Sequence, residues 1–141
     1  MSTQTLTPAV TWESKYSVGI ASIDSEHKKL IGLINDLHAA MAQGRGRAVV
    51  GKILDGLAAY TVTHFANEEA MMRLHSYPGY ERHKAIHDKL VEQVKGMRDD
   101  FHAGDTTISL EVLTFLQKWL IDHIQGVDQQ YSPHMRAAGA K

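Results

Sequence analysis

Five histidines and two carboxylates recur at helix-like intervals along this chain: His27, then His64 with Glu68 four residues on, then His83 with His87, then His123 with Asp128 five residues on. Imidazole nitrogen and carboxylate oxygen are donors suited to iron, zinc, copper or manganese. Together they carry the ligand chemistry of a two-metal site. Function therefore turns on whether the seven side chains can meet.

Residues four apart on an α-helix differ by about 40° around its axis, so His64 with Glu68, and His83 with His87, can face one centre. Glu69 stands about 140° from His64, which makes Glu68 the better ligand. His123 and Asp128, five apart, do not share a face of a regular helix. Either Asp128 is no ligand or the helix is wound wider there. A π turn aligns i with i+5, and such bulges favour functional sites. The spacing predicts one over residues 123–128, with Gly126 easing the distortion.

The elements that must position these groups are legible as apolar stripes. From about Asp24, Leu30, Ile31, Ile34, Leu37 and Met41 follow 3-4 spacing until Gly44-Arg45-Gly46, and His27 lies on the same stripe. From Arg47 to His75, one face carries Val50, Ile53, Leu54, Leu57, Thr61, His64, Glu68 and Met71 or Met72. Ser76-Tyr77-Pro78-Gly79 breaks the chain, with Pro78 expected in the first turn of a third helix bearing His83, Ile86, His87, Leu90, Val94 and Phe101. After Gly104, Asp105 or Thr106 can cap a fourth helix through Ile108, Val112, Leu116, Trp119, Leu120, His123 and Tyr131, ending at Ser132-Pro133.

Four helices joined by short turns imply an all-α, up-down-up-down antiparallel bundle over residues 22–131. Residues 1–21 are expected to form an N-terminal arm packing Trp12 and Tyr16 on the bundle. Residues 132–141 are expected to form a frayed tail. In antiparallel order the ligands fall early, late, early and late on successive helices. At about 1.5 Å rise per residue, all lie roughly 5 to 17 Å from one bundle end.

A single histidine on an apolar face is ordinarily a core residue bonded to a neighbour. Seven ionisable groups coincident in face and height are different, because burying them uncompensated costs several kcal/mol per charge. If both carboxylates bridge and an oxo or hydroxo group bridges as well, five histidines complete eleven of twelve positions around two octahedral ions. One position stays open. That suits a redox-active pair better than structural zinc, whose sites are closed and tetrahedral.

Composition removes other classes. Lys plus Arg number 15 against 16 Asp plus Glu, a net charge of −1 that gives no footprint for nucleic acid or an anionic membrane. Without cysteine, disulfides, thiolate sites and thiol nucleophiles are excluded. The opening residues do not read as a signal peptide and no run matches a membrane span, so a cytoplasmic setting is expected. Nothing argues for an obligate assembly, and a monomer is the default.

The chain resembles the hemerythrin family in its bacterial single-domain form. The resemblance rests on Trp12, Gly19-Ile20-x-x-Ile23-Asp24-x-Glu26-His27-Lys28, His64-Phe65-x-x-Glu68-Glu69-x-x-Met72, Tyr77-Pro78-x-x-x-x-His83-x-x-x-His87, and His123-x-x-x-x-Asp128 with Tyr131. It implies two iron ions with an oxo or hydroxo bridge. His83, His87 and His123 would bind a six-coordinate iron, His27 and His64 a five-coordinate one, and Glu68 and Asp128 would bridge. It further implies end-on O2 binding at the open iron. Leu120, one turn before His123, would then line a dry O2 pocket, with Leu30 or Phe65. The expected function is reversible O2 binding for carriage, storage or delivery, in a binder rather than an enzyme. A di-iron redox enzyme of peroxidase, oxidase or nitric-oxide chemistry, and an O2 or redox sensor, are the competing readings. Partners would be O2 itself and an O2-consuming enzyme or electron donor.

Overall fold

In the computed structural model, residues 9–44, 46–104 and 110–141 are described, residues 110–112 by their backbone alone. The helices are α1 (Ala21–Ala42), α2 (Arg47–Leu74), α3 (Tyr80–His102), α4 (Leu110–Asp122) and α5 (Gln129–Ala137). A π turn, His123–Asp128, joins α4 to α5 without a break, so the two form the fourth helix of the bundle. The expected caps at Asp105 and Thr106 lie outside the described residues, as does the helix start near Ile108. No strand occurs among the described residues, and α1 packs on α2 and α4, and α2 on α3. Among the described residues, no helix is long and apolar enough to cross a membrane.

Local chemistry sets the ends. Gly44, at φ 65°, takes the left-handed conformation that closes α1, a position glycine occupies without Cβ strain. Pro78 lies in the turn preceding α3 and not in its first helical turn, because the chain must still pass Gly79 before α3 starts at Tyr80.

Two further expectations are corrected. Ser132-Pro133 does not end the fourth helix, and the segment expected to fray is helical through Ala137 with Pro133 inside it. Proline forfeits one helical hydrogen bond. Complete burial of Tyr131 and Met135 with Val18, Ile20, Ile23 and Met72 offsets that loss.

This end cluster is the smaller of two apolar cores. The larger runs through the bundle and includes Leu30, Ile34, Leu37, Leu54, Leu57, Phe65, Leu116, Trp119, Leu120 and Ile124. A layer of buried polar groups lies between them, touched by Phe65 from one side and Tyr131 from the other. The N-terminal arm is held in place from both ends of the chain. Asp24 accepts from Val18 N (2.9 Å) and Ser17 Oγ (2.5 Å), while Ser132 Oγ donates to Val18 O (2.5 Å) and Gln129 Nε2 to Ser17 O (3.0 Å). Tyr16 is buried, and Trp12 packs against the main core beneath Lys28.

Candidate metal centre

All seven residues singled out from the sequence converge in the buried polar layer, and none is more than 5% exposed. His27 comes from α1, His64 and Glu68 from α2, His83 and His87 from α3, and His123 and Asp128 from the ends of the π turn. The wide turn is what lets the last pair face one centre. His123 Nε2 lies 3.1 Å from Asp128 Oδ1 across the i, i+5 spacing. Gly126 is not sterically required there, since a Cβ would meet nothing within 4 Å and its φ is not positive.

The side chains form two overlapping groups in which every ligand atom lies within 4.8 Å of the others: Glu68, His83, His87, His123 and Asp128 in one, His27, His64, Glu68 and Asp128 in the second. Both contain the same two carboxylates. Asp128 turns Oδ1 toward His83 and His123, both at 3.1 Å, and Oδ2 toward His27 at 3.0 Å. Glu68 Oε1 lies 3.0 Å from His64 and 3.4 Å from His87, whereas Oε2 accepts from Tyr131 at 2.5 Å.

These approaches are close but misdirected as hydrogen bonds. The Nε2 atoms of all five histidines, Glu68 Oε1 and both Asp128 oxygens are buried without a hydrogen-bond partner. Unsatisfied groups cost about 1–3 kcal/mol each, more when charged, so their concentration at one level calls for an occupant that accepts lone pairs. A pair of metal cations fits that donor set. Zinc-type tetrahedral closure does not require five nitrogens.

Electrostatics agree. Burial opposes protonation of His64, but the charge of Glu68 and contact with Glu26 outweigh it and raise its pKa to about 10. His123 is raised against burial by Asp128. Burial pushes Glu68 and Asp128 up, and repulsion from Asp128 adds to this at Glu68, yet the surrounding histidines hold both below the usual carboxylate range. Without metal, the pull on His64 and His123 thus favours holding a proton beside ionised carboxylates, a positive charge that a metal cation can take over.

The profile of the family described as "Hemerythrin HHE cation binding domain" matches residues 18–135. The chain belongs to the hemerythrin family. It is 38% identical over 126 residues to a bacteriohemerythrin of Stenotrophomonas maltophilia, covering 89% of this chain and 81% of that protein. It is 36% identical to a bacteriohemerythrin of Methylococcus capsulatus, covering 91% and 98%. A crystal structure of wild-type hemerythrin superposes with a TM-score of 0.85 at 35% identity, covering 91% of this chain and 98% of that one.

Several groups around the hemerythrin-type centre carry roles that the spacing argument did not assign. Glu26 and Glu69 bind His64 Nδ1 and His87 Nδ1, and Tyr131 holds Glu68. Phe65 stacks on His87, rings parallel within 2° at 3.8 Å. A usable signal existed: each of the two glutamates is the chain neighbour of a ligand candidate, Glu26 of His27 and Glu69 of Glu68.

Proposed function

We propose that this chain binds O2 reversibly at a non-haem di-iron centre, serving oxygen carriage, storage or delivery. The observation that carries the reading is the donor set: five unpartnered imidazole nitrogens against two carboxylates, divided between two groups that share both carboxylates. In this reading His83, His87 and His123 hold one iron, and His27 and His64 hold the second. Glu68 and Asp128, which belong to both groups, would serve both irons, with an oxo or hydroxo group completing the centre. Two irons held there would supply reversible electron transfer to O2.

The protein's own residues make recovery possible. Neutral imidazoles donate less negative charge than the carboxylate-rich shell of ferritin-like di-iron sites, which favours the reduced pair. Phe65, Trp119, Leu120 and Ile124, all from the buried main core, supply an apolar wall that excludes water. Tyr131, whose phenol is held protonated by burial and by Glu68, fixes one oxygen of that carboxylate.

The test is optical. Adding O2 to reduced, iron-loaded protein should produce visible charge-transfer absorption that disappears under argon. Iron content well below about two per chain, or an irreversible change accompanied by turnover of peroxide or nitric oxide, would overturn the reading.

A further inference from the structure

Two carboxylates outside the seven-residue cluster each grip one of its histidines by the far nitrogen. Glu26 Oε1 lies 2.7 Å from His64 Nδ1, and Glu69 Oε2 lies 2.9 Å from His87 Nδ1. A carboxylate there fixes the ring orientation and keeps a proton on Nδ1, which leaves the Nε2 lone pair for a metal and raises its basicity.

Each brace comes from the neighbouring helix. Glu26, beside His27 on α1, reaches α2, and Glu69, beside Glu68 on α2, reaches α3. Consecutive helical residues point about 100° apart, so a helix that aims one residue inward can send the next toward its neighbour. The two histidines so held fall in different groups, His64 with His27 and His87 with His83 and His123. The braces are also built differently. Asn67 Nδ2 donates to Glu26 Oε2 at 3.0 Å, engaging its second oxygen, whereas Glu69 borders a surface cavity of about 240 Å³ that also touches His87, Asp88 and Lys95.

We infer that Glu26 and Glu69 are positioning residues with separate targets, Glu26 setting metal affinity at the two-histidine position and Glu69 at the three-histidine position. The inference rests on the di-iron reading above. Glu26 supports one of two histidines and Glu69 one of three, so removing Glu26 costs its position the larger share.

Anaerobic titration of the metal-free full chain with Co2+ tests this, because an open five-coordinate position absorbs more strongly in the visible than a closed six-coordinate one. Wild-type protein should bind two Co2+. Glu26→Ala should weaken the strongly absorbing step about 10–100-fold and leave the second step largely unchanged, and Glu69→Ala should do the reverse. Glu26→Gln and Glu69→Gln, whose amide oxygen still accepts from Nδ1–H, should recover most of each loss. Where an alanine variant does not fold by circular dichroism, the Co2+-loaded glutamine variants still decide. Glu26→Gln should move only the shifted Nδ1–H proton resonance of His64, and Glu69→Gln only that of His87. Equal weakening of both steps, joint movement of both resonances, or glutamine behaving as alanine overturns the inference. Uptake of fewer than two Co2+ by the wild type overturns the di-iron reading instead.

Discussion

At His64 a metal ion bound as proposed would compete with a proton for the same nitrogen. With its pKa raised to about 10 in the metal-free protein, His64 is protonated at pH 7, and His123 is raised in the same direction. A bound metal needs neutral imidazole. Metal uptake near neutral pH should therefore release protons, and apparent affinity should fall as pH is lowered. Calorimetric titration in buffers of different ionisation enthalpy measures that release, and its absence would contradict the charge state described. Tyr131 offers a second residue-scale expectation. Tyr131→Phe removes the hydrogen bond to Glu68 Oε2 and should cost the metal-free protein about 1.5–3 kcal/mol in urea unfolding, the range for a bond to a charged group. Leu120 is buried in the main core one turn before His123; if the chain binds O2 as proposed, Leu120→Ala should speed autoxidation, while an unchanged rate would remove Leu120 from the proposed pocket. The seven inward residues were legible because face and height are arithmetic on a helix. The braces at Glu26 and Glu69 were only half legible: adjacency to His27 and Glu68 marks them, but which histidine each meets depends on the neighbouring helix about 100° away, a tertiary fact.

The fourth helix carries the irregularity on which the site depends. Its π turn could be anticipated from one conflict: His123 and Asp128 both had to face inward, and five-residue spacing forbids that on a regular helix. Glycine at 126 answers neither a positive φ nor a lack of room for a methyl group, so any easing of the turn by Gly126 is not steric. Gly126→Ala should accordingly stabilise the protein by about 0.5–1 kcal/mol, through lower unfolded-state entropy, without altering metal content. A loss of stability in thermal unfolding would show that the turn requires glycine after all. Pro133 misled in the opposite sense. Proline reads locally as a stop, yet burial of Tyr131 and Met135 carries the helix past it, and burial depends on the arm that Val18 and Ile20 bring alongside.

The whole molecule closes the end beside its His/Glu/Asp cluster with segments far apart in sequence. Ser132 and Gln129 tie the arm at Val18 and Ser17, Ser22 Oγ donates to Lys141 O at 2.8 Å, and Gly19, at φ 74°, leaves space that Arg136 fills. Removing residues 133–141 should expose Val18, Ile20, Met72 and Tyr131, lower the melting temperature and hasten metal loss. Burial of Met135 alone contributes about 1.5–3 kcal/mol, and unchanged metal retention would show that this closure is dispensable. At the opposite face of the polar layer, Trp119 packs edge-on to Phe65 at 6.4 Å, and Phe65 in turn lies 5.4 Å from His123. The chain has two tryptophans, and the second, Trp12, sits in the arm under Lys28. Fluorescence can therefore follow the centre directly: Trp119, shielded from water, should emit at shorter wavelength than Trp12, and loading with iron should quench that blue component first.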